Sequence, residues 1–292
     1  MVRSPRDRFI TIYGRVAVME ALDDERIAVD KVLVARNAHG DTVDTILATA
    51  RARGVRVERT TAERVTRISR NGRHDQGVVA DVTAPGVVEI DDWLGSLSPE
   101  AAASVVVLDG LTNPANVGMI IRVVTAAGMS ATVLPRFGAP DLGPLVVKAS
   151  AGTVFRASVV RAQTTSQAID GLASAGFEIV GLRGGSAVPS LYDQRFPARV
   201  AFVLGNESGG VSPDVAGRVV RWVAIPMEGD VESLNVATAA AVVAYELARR
   251  RAAPSDRQEV DPPAGAGAPL VVPEGAGVAA AAAPEDGGAC VR

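Results

Sequence analysis

The sequence predicts an α/β protein in two parts: a small N-terminal α/β domain, and a larger domain built on a mostly parallel sheet with helices on both faces. Three observations carry this reading. From residue 104 to 251, short β-branched runs alternate with longer helical patterns, the order that βαβ units leave in a chain. A shorter alternation occupies residues 1–85, and a stretch of Pro, Gly, Asp and Ser at 86–103 separates the two as a linker. With 292 residues, 48% hydrophobic and 22% charged, the chain is long enough for two domains with cores of their own.

In order, residues 14–22 read as a short helix through Val16, Val18 and Met19, 29–35 as a strand, and 42–53 as a helix stopped by Gly54. Residues 55–57 and 77–82 read as further strands, and Trp93 and Leu94 in the linker are expected to dock on a domain. A buried strand at 104–108 leads into a polar loop and a helix over 117–127, for which Asn116 is a natural N-cap. Strands follow at 130–134, 157–160 and 178–182, with a helix at 166–175. The run 200–204 is continuously apolar and stops at Gly205; a second, 222–225, stops at Pro226, which has no N–H for a ladder. Residues 236–250 form a helix free of Gly and Pro, with Ser233 as a candidate cap and a closing Arg cluster at its negative end. From 252 on, 24 of 41 residues are Ala, Gly or Pro and none is aromatic, the composition of a disordered tail.

The formal charge of −3 is unevenly spread. Residues 252–292 hold six acids against two arginines, which leaves residues 1–251 at +1. Residues 51–73 carry eight arginines (51, 53, 56, 59, 64, 67, 70 and 73) against Glu58 and Glu63. A local +6 is the footprint that phosphate binding requires, with a solvated helix face as the plainer alternative.

Other chemistries find no support. The lone Cys290 excludes a disulfide framework and a cysteine metal site. His39 and His74 lie outside the polar loops, so neither a histidine metal site nor a Ser-His triad is expected. Gly-x-Gly-x-x-Gly and Walker motifs are missing. No apolar run approaches the roughly 18 residues that span a bilayer, and the expected location is the cytoplasm.

Two strand ends thus open into loops with a carboxylate, carboxamides, a hydroxyl and glycines, where open α/β sheets bind ligands. The run 204–210, Leu-Gly-Asn-Glu-Ser-Gly-Gly, and the run 225–236 from Ile-Pro-Met to Ser-Leu-Asn-Val resemble the second and third motifs of the SpoU/TrmH branch of SPOUT RNA 2′-O-ribose methyltransferases. Asn116-x-Gly118-x-x-x-Arg122 resembles the first. Residues 12–18 and 76–80 are similar to the opening and close of the family's ribosomal-protein-like RNA-binding domain.

The resemblance implies a trefoil-knotted C-terminal sheet, S-adenosylmethionine as cofactor, a homodimer, and RNA as partner, with no metal and no membrane. It places Asn116, Arg122, Glu207, Ser233 and Asn235 in the catalytic motifs. Leu204, Gly205, Ile225, Met227 and Leu234 would hold the cofactor, chiefly by backbone. Arg64, Arg67, Arg70 and Arg73 are the candidates for RNA. A guanidinium is a poor base, so Arg122 is assigned to the target phosphate and to polarising the hydroxyl. The expected substrate is 23S rRNA; tRNA is the second reading, and a non-catalytic RNA-binding assembly factor a third.

Overall fold

A computed structural model describes residues 9–185, 187–206, 209–228 and 233–252. Glu207 and the expected tail from 253 on, with Cys290, lie outside the described residues.

The N-terminal domain is a four-stranded sheet of Phe9–Tyr13 (β1), Val29–Ala35 (β2), Arg56–Thr60 (β3) and Val78–Thr83 (β4), in the order β1-β4-β2-β3. β4 runs antiparallel to β1 and β2, and β3 parallel to β2. Its helices are Arg15–Asp23 (α1), Asp41–Ala52 (α2) and Ala62–Ser69 (α3). β1 is not expected from the sequence, and α3 enters it only as the solvated helix face that was the plainer reading of the arginine run. α3 starts at Thr61, whose hydroxyl accepts from the Arg64 N–H at 3.3 Å, and it buries Val65 while Arg64 and Arg67 stay in solvent.

The stretch read as a linker carries structure: Val87–Glu89 (β5) and Ile90–Ser96 (α4). Trp93 is buried on α4, its ring 6.1 Å from that of Phe177. The larger sheet adds Ala103–Leu108 (β6), Ala131–Pro135 (β7), Val159–Ala162 (β8), Glu178–Leu182 (β9), Arg199–Leu204 (β10) and Arg221–Val223 (β11). The order is β11-β9-β10-β6-β7-β8-β5, and every neighbouring pair is parallel. All its carboxyl ends therefore lie on one edge.

The helices of this part are Pro114–Ala126 (α5), Pro144–Ala149 (α6), Thr165–Ser174 (α7), Pro213–Ala216 (α8) and Val236–Ala252 (α9). Strand alternation decides how they layer. Val106, Leu108, Phe202 and Leu204 share one core with Ile120 and Ile121 of α5 and Ala240 and Val243 of α9. Val105, Val107, Ala201 and Val203 share the opposite one with Ile90 of α4 and Ile169 and Leu172 of α7. Helices on both faces are what the sequence predicts. The small residues Ala237, Ala240 and Ala244 are buried, on a helix that packs against α5.

The end of α9 is fastened by its arginines. Arg250 donates to the carbonyls of Leu191 (3.0 Å), Tyr192 (2.9 Å) and Gln194, and Arg251 to that of Ala127. Buried Glu246 accepts from Arg249 Nε at 2.8 Å and Arg250 Nε at 2.6 Å. The Arg249 hydrogen bond, opposed by burial and assisted by Arg250, holds its carboxyl at about 2 against an ordinary 4.5. A depressed folded-state value stabilises the fold above the unfolded value, and that contribution fades as pH falls through the folded one. Glu246→Gln should therefore lower Tm at neutral pH, and the gap to wild type should close as pH drops below 4.5 toward 2. Thermal melts across that range check this; a gap independent of pH would contradict it.

Candidate active site

The site begins where adjacent parallel strands end together. Leu204 of β10 lies opposite Leu108 of β6, so the loops starting at Asp109 and Gly205 leave the sheet side by side. They are laced to each other. The Asp109 N–H donates to the Leu204 carbonyl at 2.9 Å, its carboxylate accepts from the Ser212 N–H at 2.7 Å, and Asn206 Nδ2 donates to the Gly110 carbonyl at 2.8 Å. Asn206 and Gly210 exchange backbone hydrogen bonds of 2.9 and 2.8 Å, folding the loop back on itself. The return is so close that a Cβ on Gly205 would stand 2.1 Å from the Gly210 carbonyl carbon and 2.2 Å from the Val211 nitrogen.

α5 opens on the same edge. Its cap is Asn113, whose Oδ1 accepts from the Ala115 N–H at 2.9 Å, with Pro114 in the first turn. Asn116 is therefore inside the helix rather than its cap, and it is buried. Asn235 Nδ2 donates to Asn116 Oδ1 at 3.2 Å. The same residue's Oδ1 accepts from the N–H groups of Ala237 (2.9 Å) and Thr238 (3.3 Å), so Asn235, not Ser233, caps α9. One carboxamide thus ties two helix starts together.

Gly118 lets α6 approach α5: a Cβ there would meet the Val146 carbonyl oxygen at 2.6 Å. Arg122, although its sequence neighbours Met119, Ile120, Ile121 and Val123 are apolar, does not lie in the buried face of α5. It is exposed, beside Met119 at 39% exposure, and makes no hydrogen bond or ion pair among the described residues. Six residues on from Asn116, it sits about 9 Å along the helix and about 240° around it. The fold brings Asn116 and Asn235 together and leaves Arg122 on another face.

Among the cofactor candidates, Leu204 is buried in the core and its carbonyl is taken by Asp109. Gly205, Ile225, Met227 and Leu234 are half-buried, and Ser233 is exposed. Asp109, only 5% exposed, and Asn206, inside the second motif but not among the candidate site residues, lace the two loops together. The signal available was a polar residue just past the end of each of two buried strands.

The arginine run is partly spent on the fold. Arg53 donates to the carbonyls of Ala21, Leu22, Asp24 and Ile27, Arg59 to those of Ala35 and Ala38, and Arg64 pairs with Glu58 at 2.6 Å. The local +6 therefore overstates what is open to a ligand. Arg67, Arg70 and Arg73 are exposed. The first two line a cleft of about 950 Å³ whose other wall includes Arg136 of the larger domain. Among the described residues no cluster of His, Cys, Asp or Glu is suited to a metal ion, and no helix is long and apolar enough to cross a membrane.

Residues 103–245 match the SpoU rRNA Methylase family, and residues 11–87 match the family of RNA 2′-O ribose methyltransferase substrate-binding domains. A relative from Staphylococcus epidermidis, provisionally assigned to the TrmH family of tRNA/rRNA methyltransferases, is 32% identical over 83% of this chain and 96% of its own. The 23S rRNA (guanosine-2′-O-)-methyltransferase RlmB of Xanthomonas campestris is 31% identical over 82% of this chain and 96% of its own. Among solved structures, the AdoMet-bound rRNA methyltransferase of Sinorhizobium meliloti aligns with a TM-score of 0.59 and 26% identity, over 84% of this chain and 88% of that one.

Proposed function

The chain belongs to the SpoU family of RNA 2′-O-ribose methyltransferases, and we propose that the RNA it modifies is ribosomal, 23S rRNA before tRNA. It is an enzyme that uses S-adenosylmethionine as methyl donor. The observation that favours ribosomal RNA is the separate N-terminal domain, matched over residues 11–87 to substrate-binding domains and shared over nearly full length with the 23S rRNA relative. A tRNA substrate remains the second reading, because the Staphylococcus relative's name covers both. The domains are taken as 1–85 and 104–251; the stretch 86–103 between them is more than a linker, since its β5 pairs with β8 and its Ile90 and Trp93 join the core of the larger sheet.

The residues present fit the cofactor. At Gly205 the chain passes so close to Gly210 and Val211 that a Cβ would clash with their backbone, so this turn can offer a ligand backbone groups and no side chain from position 205. Gly205, Ile225, Met227 and Leu234 are assigned to holding it. Bound there, S-adenosylmethionine supplies an electrophilic methyl group. The remaining work is alignment of the 2′-hydroxyl and removal of its proton. Asn235, by capping α9 and donating to Asn116, fixes the segment that carries Ser233 and Leu234. Arg122 is assigned to the target phosphate and to polarising the hydroxyl, with a phosphate oxygen or a neighbouring group taking the proton.

Arg122 faces away from Asn116, and Met119 on α5 and Tyr245 on α9 are exposed. That arrangement supports a homodimer in which a second copy covers this face and completes the site. The trefoil knot, with 200–251 threaded through an earlier loop, and a cytoplasmic location belong to the same proposal.

The test is methyl transfer from labelled S-adenosylmethionine to unmodified 23S rRNA and tRNA transcripts. Label should enter 23S rRNA at a ribose; label in tRNA alone would favour the second reading. With Arg67, Arg70 and Arg73 all changed to Glu, RNA affinity should drop and its salt slope flatten by roughly 0.7 per lost contact on a single strand. Wild-type affinity and slope would mean the grip lies elsewhere.

A further inference from the structure

Residues 14–15 and 76–77 of the N-terminal domain meet at a place that methyl transfer leaves unused. The Arg15 N–H donates to Gln76 Oε1 at 3.0 Å, and Arg15 Nε to the Gln76 carbonyl at 3.4 Å, across 61 positions of sequence. With Asn37, Asp75 and Gly77 they line a cavity of about 520 Å³, within the range of small-ligand sites. Asp75 is buried and fully engaged. Its Oδ2 accepts from Thr66 at 3.2 Å and Ser69 at 2.9 Å, and its Oδ1 from the Gly77 N–H at 2.9 Å. It fixes the turn. The groups at the opening are different: the terminal nitrogens of Arg15, the side-chain amide of Asn37 and Nε2 of Gln76 make no hydrogen bond among the described residues.

The Arg15–Gln76 hydrogen bonds tie the start of α1 to the turn at 76, yet two choices here cost the fold more than that link requires. Gln76 sits at φ 51, in the left-handed region, where a non-glycine residue is strained and such strain gathers at functional sites. Arg15 is the first residue of α1, whose cap Gly14 offers no side chain, and a cation there opposes the helix dipole. Both choices present hydrogen-bonding groups to the cavity.

We infer that this cavity seats one unpaired nucleotide of the RNA substrate, with Arg15 on a phosphate and the amides of Asn37 and Gln76 on the base edge. This rests on the RNA-methylation reading. Unstacked bases are read through their hydrogen-bonding edges, which donor–acceptor amides match, and a guanidinium suits a phosphate. Arg73, exposed and next in sequence to the lining residue Gly72, adds a cation to the same turn.

The full chain is assayed on whichever transcript the wild type methylates, with the variants Arg15→Gln, Asn37→Ala and Gln76→Gly, the last because glycine accepts φ 51 without strain. Each should raise KM for RNA roughly ten-fold, as expected for a lost hydrogen bond to a charged or polar ligand group, with S-adenosylmethionine affinity unchanged. If KM stays at the wild-type value in all three, or the variants lose only thermal stability, the cavity is structural and the inference falls while the enzyme assignment stands. If wild type methylates neither RNA, the underlying reading fails instead.

Discussion

Arg122→Ala is expected to abolish methylation, lowering kcat by roughly two to three orders of magnitude, the range for a single preorganised charge at a reacting centre. S-adenosylmethionine affinity should stay within a few-fold. The separation follows from position. Arg122 is exposed on α5 and engaged by no other group among the described residues, so its removal costs the fold little and reaches only what docks from outside. Arg122→Lys should not rescue fully, because a point charge replaces a planar fork that grips phosphate in two places. Single-turnover rates together with calorimetric cofactor titration check this. Near-normal turnover in the alanine variant would remove Arg122 from the mechanism.

Gly205→Ala should be the most damaging single methyl group in the larger domain. The added carbon would stand 2.1 to 2.3 Å from three backbone atoms of Gly210 and Val211, and backbone cannot rotate aside as a side chain can. The loop must open, which breaks the paired Asn206–Gly210 hydrogen bonds and strains the Asn206–Gly110 link. Overpacking of this kind costs about 1–3 kcal/mol, a Tm loss of several degrees for a chain this size. Cofactor affinity should fall by more than roughly ten-fold, because the loop would hold it by backbone. Thermal melting and calorimetry read both effects; wild-type affinity would show that the cofactor does not rest on this turn.

The central strands β6, β7 and β10 were legible because they are apolar runs rich in β-branched residues, almost wholly buried, and the register Leu204–Leu108 follows from matched ends; β5, three residues at the edge, was lost in the stretch read as a linker. Shorter elements were not. α6 spans 144–149 only, too few residues for a helical period to show. α3 hides Val65 among arginines, so its charge pattern dominates the reading. The Asn113-Pro114 pair marked the true start of α5, since proline favours the first turn and asparagine the position before it; the motif drew attention to Asn116 instead. The contact between Asn116 and Asn235 joins residues 119 apart and becomes visible only once α5 and α9 are packed. Nor does a run of arginines reveal which members are turned inward: Arg53 and Arg59 bind backbone carbonyls that no local pattern announces.

The central claim is tested most directly by mapping ribose 2′-O-methylation across all ribosomal and transfer RNA from cells lacking this chain, cells given it back, and cells given Arg122→Ala. A methylated ribose in 23S rRNA should be absent in the first, present in the second and absent again in the third. An RNA methylation pattern identical in all three would contradict the assignment.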